Sequence, residues 1–408
     1  MDGTDLYSAL AQPRGRKTFN LSYFNPHRKE KTEKSPGFHP LFPIRTASGA
    51  LPGLRAQLSR LQIRAYPTVM AQLPGNPGTG ELAMLRAIRS RAAKISNARV
   101  SLGIGDDCAL LRPGRGEELA VTTDLSIAER HFRLDWHPPE SVGHRTLARG
   151  LSDLAAMGAQ PVAAFLSLAL PPQLARVAGR HSGDSWLDGF LDGFLALAAQ
   201  HGVALAGGDL AESPLALADI VLTGVVPRGD ALLRSGAQLG DRVCVTGTLG
   251  GAAAELAELA AHPRRFARLK KASKEADNGH PHLYPLPRIA QGLALRRRRL
   301  ATAALDISDG LSTELAHLAA ASSVHIEIEA ARIPLDPGAT LSQALHGGED
   351  YELVFTAPTQ ARLPRTIAGV PITVIGRVAA PRRGLAAVTL LEDGTRHPLT
   401  PRGWEHFR

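Results

Sequence analysis

The chain has little of several things that would each point to a function. Of its 408 residues only 2 are cysteine, Cys108 and Cys244, and neither has a CxxC neighbour. That excludes a disulfide framework and makes a reducing, cytoplasmic setting the expectation. Aromatics amount to 5%, too few for a surface that stacks bases. No stretch approaches the roughly 18 uninterrupted apolar residues of a membrane helix. The N-terminus lacks the charged-then-apolar order of a secretory signal. No membrane partner is expected. There is no GxxxxGK[ST] phosphate loop, no protein-kinase motif set, no HExxH and no GxSxG elbow. Gly103-Ile104-Gly105 lacks the third glycine of a dinucleotide fingerprint. His131 and His137 have no cysteine nearby, which argues against a zinc site. Most of the fifteen histidines are expected to be surface or hydrogen-bonding residues.

The positive charge is unevenly spread. The formal net charge is +9, and residues 1–69 alone carry eleven Lys and Arg against four acids, or +7. The high isoelectric point therefore belongs largely to this stretch, which reads as a basic, disordered extension. The nearly neutral remainder is not a nucleic-acid footprint, and no nucleic-acid partner is expected. Apolar content of 44% suits a chain with sizeable cores. The length fits two or three domains, divided here as the extension 1–69, an N-terminal domain 70–226 and a C-terminal domain 227–408.

Apolar periodicity then sets out the elements. Helices are expected over Glu81–Ala93, from Pro138-Pro139 to Met157, and over 184–200, 251–261, 289–300 and 311–321. Leu119–Asp124 reads as a short strand ending in Thr122, Thr123 and Asp124. Strands also fit 162–170, 203–205 leading into Gly207-Gly208-Asp209, 218–226, 241–246, 301–307 and 324–328. His262–Pro287 reads as an exposed excursion, and Arg296–Arg299 as a solvated helix face. Strand and helix alternate through both halves, so the fold class is α/β with α+β layers.

What the chain has in excess is aspartate beside glycine at the edge of apolar runs. Gly103-Ile-Gly-Asp-Asp-Cys108 has two adjacent carboxylates in a glycine turn. Asp124, Asp153, Asp209, Asp306 and Asp309 recur in comparable settings. In α/β folds such positions gather at one rim, where ligands bind. Carboxylates that converge without basic partners are unfavourable unless cations join them. Several Mg²⁺ ions bridged by a polyphosphate would reconcile them, since Mg²⁺ takes one or two carboxylates together with substrate phosphates. Thr122, Thr123 and Ser308 have hydroxyls to add, and Arg234 can clamp a phosphate bidentately. Cys108, in an apolar context, is expected to be packed.

These motifs together resemble a known family. Gly103-Ile-Gly-Asp-Asp-Cys-Ala-Leu-Leu111, Thr122-Thr-Asp124 with His131-Phe132, and Leu151-Ser-Asp-Leu-Ala-Ala-Met-Gly158 come first. Gly207-Gly-Asp209, Arg234-Ser-Gly236, Asp306-Ile-Ser-Asp-Gly310 and Gly347-Gly-Glu-Asp-Tyr-Glu-Leu353 follow. In this order the set is similar to the thiamine-monophosphate kinase family. That family lies in the ATP-binding superfamily that also holds aminoimidazole ribonucleotide synthetase and selenophosphate synthetase. The resemblance runs from about Gly80 to the C-terminus. It implies a two-domain fold like aminoimidazole ribonucleotide synthetase, with an N-terminal α/β domain through which two subunits pair and a C-terminal α/β domain. It implies transfer of the ATP γ-phosphate to thiamine monophosphate, giving thiamine diphosphate, by direct in-line attack assisted by several Mg²⁺ ions. By motif position, Asp107, Thr122, Thr123, Asp124, Asp153, Asp209, Asp306 and Asp309 would hold metal. Asp107, Asp124 and Asp306 would be central to catalysis. Gly208, Asp209, Arg234 and Ser308 would bind ATP. His131, Glu349 and Trp404 would face thiamine monophosphate.

The chain departs from that pattern at three places. The 1–69 extension has no counterpart, Leu210 follows Gly-Gly-Asp where a hydroxyl residue is expected, and Glu129-Arg130 precedes His131. Two alternatives stay open: another ATP-dependent member of the superfamily, and a basic nucleic-acid-binding protein that uses residues 1–69 as an arm.

Overall fold

Two stretches of alternating strand and helix form two separate sheets, one on each side of the connector that follows Pro227. The computed structural model describes residues 81–106, 108–176, 185–263, 279–381 and 386–404. The expected extension 1–69 and Asp107 lie outside the described residues.

The first stretch opens with helix α1 (Glu81–Ala92) and a small antiparallel pair, β1 (Val100–Leu102) and β2 (Leu110–Leu111), around the 103–109 loop. Then come β3 (Glu117–Ile127), α2 (Pro139–Ala156), β4 (Gln160–Leu170), α3 (Trp186–His201), β5 (Ala204–Glu212) and β6 (Leu217–Pro227). The four longer strands form a sheet in the order β3-β6-β4-β5, in which only the β4–β5 pair is parallel.

Helix α2 begins where proline belongs. Pro138 is its N-cap and Pro139 takes the first turn, where a missing N–H breaks no hydrogen bond. Its buried face carries Leu147, Leu151 and Leu154. They join Phe190, Phe194, Ile220 and Leu222 in the main core. Truncating any of these leucines to alanine should cost about 2–5 kcal/mol. The α2–α3 contact depends on missing side chains: a Cβ on Gly143 would lie 1.9 Å from the Phe190 carbonyl, and one on Gly193 would lie 1.8 Å from that of Glu140.

The second stretch runs β7 (Arg242–Thr246), α4 (Gly251–Ala261), α5 (Ile289–Arg297), β8 (Ala303–Asp306), α6 (Leu311–Ser322), β9 (His325–Glu329), α7 (Leu341–His346), β10 (Leu353–Ala357), β11 (Thr366–Ile367), β12 (Val370–Ala379), β13 (Val388–Glu392) and β14 (Thr395–Pro398). Its sheet has the order β14-β13-β9-β12-β7-β10-β8, with β11 beside β12. Only β13 and β9 are parallel. A second core of Val243, Val245, Leu305, Leu315, Ile326 and Val354 lies under α6.

Several local expectations are corrected. Strand β3 runs the full 11 residues Glu117–Ile127, paired residue for residue with β6, so Thr122, Thr123 and Asp124 sit in its middle rather than at its end. Gly207-Gly208-Asp209 lies inside β5, because parallel pairing with β4 continues to Glu212. Gly208 has φ 147°, and a Cβ there would lie 1.8 Å from the Leu166 carbonyl. The end of the supposed exposed excursion is buried, with His282 and Leu283 in the interior. Residues 264–278 of that excursion lie outside the described residues. Arg296 is also buried: its Nε–H donates to the Gly158 carbonyl at 2.8 Å and it pairs with Asp230. Cys108 is exposed rather than packed, and Cys244 is buried. No described helix is long and apolar enough to cross a membrane.

Candidate active site

One cavity of about 330 Å³ takes its walls from both halves of the chain. Strand β3 contributes Thr123 and Asp124, and helix α2 contributes Arg149 and Asp153. The 130–137 segment between them brings Arg130, His131, Trp136 and His137. From the second half come Asp306, Ser308, Asp309, His282, Glu349, Tyr351 and Trp404.

At one end carboxylates crowd together. Asp306 is the last residue of β8 and is 8% exposed. Burial pushes its carboxyl up to about 8, reinforced by Asp153, although the Ser152 hydroxyl donates to its Oδ2 at 2.7 Å. Burial also raises Asp153, against an opposing hydrogen bond from Thr122 and the charges of Arg149 and Arg234. Asp124 goes up to about 6 through burial, with Arg149 opposing. Arg149 forks onto Asp124, with Nε at 2.9 Å and Nη2 at 2.8 Å. Burial pushes Glu314, in the first turn of α6, up to about 7, with Asp309 adding to it. This end holds more negative charge than its arginines offset. Among the described residues no three His, Cys, Asp or Glu side chains form a complete metal cage. Of the expected acids, Asp124, Asp153, Asp306 and Asp309 thus line a shared wall rather than closing around one point.

At the other end the charges are matched. Glu349 accepts from Arg145 Nη2 at 2.7 Å and lies 3.1 Å from His282 Nδ1. Burial alone would raise Glu349, but Arg145, His282 and Arg149 outweigh it and hold the carboxyl well below its ordinary value. His131 accepts the Ile127 N–H on Nδ1 at 3.0 Å, so a neutral ring carries its proton on Nε2. Trp404 lines the cavity beside the Ser308–Gly310 turn. The chain tail is seated there so closely that a Cβ on Gly403 would lie 1.8 Å from the Asp309 carbonyl.

The Gly347–Glu352 run divides its work. Gly348, Glu349 and Tyr351 have φ of 69°, 57° and 49°. Strained backbone of this kind persists where the surroundings over-determine it. Here the Glu349 N–H donates to the Ser308 carbonyl at 2.7 Å and the Tyr351 N–H to that of Ile307 at 3.0 Å. Glu349 and Tyr351 therefore face the cavity. Asp350 turns away to accept from the Gly250 N–H at 2.9 Å and the Ala252 N–H at 3.3 Å, capping α4. Glu352 is buried against Arg288 and Thr246.

Of the residues singled out in the sequence, Thr123, Asp124, His131, Asp153, Asp306, Ser308, Asp309, Glu349 and Trp404 line this cavity. Thr122 is tied to it through Asp153. Gly208 and Asp209 are exposed on β5 and outside its lining, with Asp209 accepting the Leu210 N–H at 2.9 Å. Arg234 is exposed, yet its charge reaches Asp153 and Glu314. Its turn is pinned by Ser322, whose hydroxyl donates to the Arg234 carbonyl at 3.0 Å and accepts from the Gly236 N–H at 3.1 Å. Of the two residues preceding His131, Glu129 has φ 65° and Arg130 reaches the cavity. Arg145, Arg149, Ser152, His282 and Ser322 were not singled out. Their side chains act through partners far away in sequence, and no local motif signals that.

Residues 105–226 match the family described as AIR synthase related protein, N-terminal domain, and residues 238–388 match its C-terminal domain. Thiamine-monophosphate kinase of Escherichia coli strain K12 is 40% identical over 342 residues, spanning 80% of this chain and 98% of that protein. The chain belongs to the thiamine-monophosphate kinase family. Two solved structures agree with that membership. The thiamine-monophosphate kinase of Stenotrophomonas maltophilia K279a superposes with a TM-score of 0.64 at 38% identity, over 78% of this chain and 98% of its own. A structure described as AaThiL complexed with AMPPCP and TMP superposes with a TM-score of 0.59 at 30% identity, over 80% of this chain and 97% of its own. The two-domain α/β architecture of the thiamine-monophosphate kinase family is thus the architecture of this chain.

Proposed function

We propose that the chain transfers the γ-phosphoryl group of ATP to the phosphate of thiamine monophosphate, releasing ADP and thiamine diphosphate. The observation that carries this reading is the polarity of the cavity in a member of this family. One end is an excess of carboxylates and the other is a carboxylate and a histidine, with a tryptophan in the wall beside the Ser308–Gly310 turn. An acceptor with a cationic ring and an anionic phosphate matches that order, since a tryptophan face and a carboxylate both attract a cation.

In the transfer, an acceptor phosphate oxygen forms a new bond to the γ-phosphorus as its bond to the ADP oxygen breaks. The acceptor is already largely ionised near neutral pH, so no strong base is needed. The protein's task is alignment and charge neutralisation. Arg234 and Ser308 bind phosphate oxygens, and Gly208 and Asp209 border the nucleotide. His131, Glu349 and Trp404 orient the acceptor. Arg149 holds Asp124 in place, and Ser152 holds Asp306.

Mg²⁺ fits the carboxylate end. The donors are hard oxygens, and burial raises the carboxyls of Asp124, Asp153 and Asp306, so a bound cation would favour their ionised forms. Asp107, Thr122, Thr123, Asp124, Asp153, Asp209, Asp306 and Asp309 would hold such ions, which when bound neutralise the polyphosphate. On this reading Asp107, Asp124 and Asp306 matter most for turnover.

The chain divides into residues 1–69, 70–226 and 227–408, and two copies pair through the first sheet. Leu119, Val121 and Leu125 support the pairing, being 44%, 57% and 41% exposed on one face of β3. An apolar stripe of this kind suits burial against a second copy. Two unpaired cysteines support a cytoplasmic setting. Incubation with ATP, Mg²⁺ and thiamine monophosphate should yield thiamine diphosphate and ADP in equal amounts, read by chromatography. ADP formed without thiamine diphosphate would refute the acceptor assignment.

A further inference from the structure

We infer that His137 and His282 are positioning residues. A buried, one-way hydrogen-bond chain through them fixes the Glu349 carboxylate toward the acceptor and so sets affinity for its cationic ring. This rests on the functional reading above.

The direction of the chain follows from its ends. Glu349 is an ionised carboxylate and can only accept, so His282, 3.1 Å away at Nδ1, carries its proton there. Arg145 Nη1 lies 2.9 Å from Nδ1 and close to Nε2 as well, which places it over the ring face rather than on either in-plane position. A neutral His282 then has a bare Nε2. That nitrogen lies 3.0 Å from His137 Nε2, and only one of two such nitrogens can hold the proton between them. His137 therefore donates, which leaves its Nδ1 bare. The Arg133 N–H donates to that nitrogen at 3.1 Å. The Arg133 carbonyl, also close, is already taken by the amides of Trp136 and His137. Each proton thus has one place, and all point toward Glu349.

The surroundings keep both rings neutral. His137 and His282 are 4% and 3% exposed. Burial, then the charge of Arg145, lowers each below its ordinary value. Arg145 completes the frame, donating to the His282 carbonyl at 3.1 Å, the His131 carbonyl at 3.2 Å and Glu349 Oε1 at 2.7 Å. One guanidinium therefore links His131 and Glu349, the residues proposed to face the acceptor. A histidine pair that served only to fill space could end on any core carbonyl. This one ends on a cavity carboxylate whose backbone is held at φ 57°.

The test separates the proton on Nδ1 from the bulk of the ring. His282→Asn keeps an N–H near the Nδ1 position, and His282→Leu removes it. Loss of a hydrogen bond to a charged group should raise KM for thiamine monophosphate about tenfold or more in His282→Leu. KM for ATP should stay unchanged, and His282→Asn should recover most of the loss. In ¹⁵N-histidine spectra of the wild-type protein, His282 should be protonated at Nδ1 and His137 at Nε2. Reversed tautomers overturn the inference, and so does an active wild type whose His282→Leu variant keeps the wild-type KM. A rise in both KM values with no recovery in His282→Asn also overturns it. A wild type inactive on thiamine monophosphate overturns the functional reading and this inference together.

Discussion

The two ends of the cavity hold carboxylates in opposite conditions. Burial raises Asp306 and Asp153, with the charge of Asp153 adding to Asp306 and the charges of Arg149 and Arg234 only partly opposing the rise of Asp153. Glu349 sits between Arg145 and His282 and is lowered. Both environments are buried, so burial does not separate them; partners do. A carboxylate left in deficit marks where a positive ligand is to be added. A carboxylate already satisfied marks a surface built to stay as it is.

The sharpest way to break this contrast is Asp306→Asn. The change keeps volume and removes a carboxyl that can ionise against a cation at the deficient end. Turnover should fall by roughly 10³-fold or more, as for loss of a central electrostatic group, while the melting temperature holds. A coupled ADP-release assay beside a thermal melt reads both. Near-normal turnover would remove Asp306 from the reaction.

Glu349→Gln probes the matched end and should act mainly on stability. It leaves Arg145, 5% exposed, without its anion, and breaking a buried pair in this way costs about 3 kcal/mol. The denaturant midpoint should drop, and KM for thiamine monophosphate should rise. An unchanged midpoint would mean that Arg145 finds its partner elsewhere.

The two ends should also oppose each other in pH. Asp306 holds its proton to about 8 in the fold but releases it near 3.8 when unfolded. The unfolded state therefore binds fewer protons between these values, and stability without divalent cations falls as pH rises through them. Glu349 is lowered from 4.5, so its contribution is present above that value and is lost as pH falls below it. Melts in chelator across this range should show both limbs, and Asp306→Asn should flatten only the alkaline one.

A smaller effect is expected outside the cavity. Ser322→Ala frees the Arg234 turn, which Ser322 pins through hydrogen bonds of 3.0 Å and 3.1 Å. KM for ATP should rise roughly threefold, the scale of one neutral hydrogen bond. An unchanged value would detach Arg234 from the nucleotide. Least of all should happen on removing residues 1–69, with turnover within roughly twofold of the full chain.

Much of the deficient end was legible in the sequence, because its chemistry is local. Asp beside Gly, and Thr-Thr-Asp after an apolar run, announce themselves within a few residues. Helix α2 was legible for the same reason, from Pro138-Pro139 to Gly158. The matched end was largely hidden. His282 lies in a stretch that reads as exposed, and its burial comes from packing against residues more than a hundred positions away. Arg296 misled in the same way: four arginines in a row suggest solvent, yet the first is drawn inward by the Gly158 carbonyl and Asp230. Strand ends were misplaced wherever pairing outlasted the apolar run, as in β3 and β5.

The walls of the cavity come partly from residues 123–153 and partly from residues 256–404. Severed at the connector, each fragment would inherit an incomplete lining: one keeps Asp124, Arg149 and Asp153, the other Asp306, Glu349 and Trp404. Neither could process a substrate by itself, so a gene split at that point would remain useful only while both products were made together and found each other again.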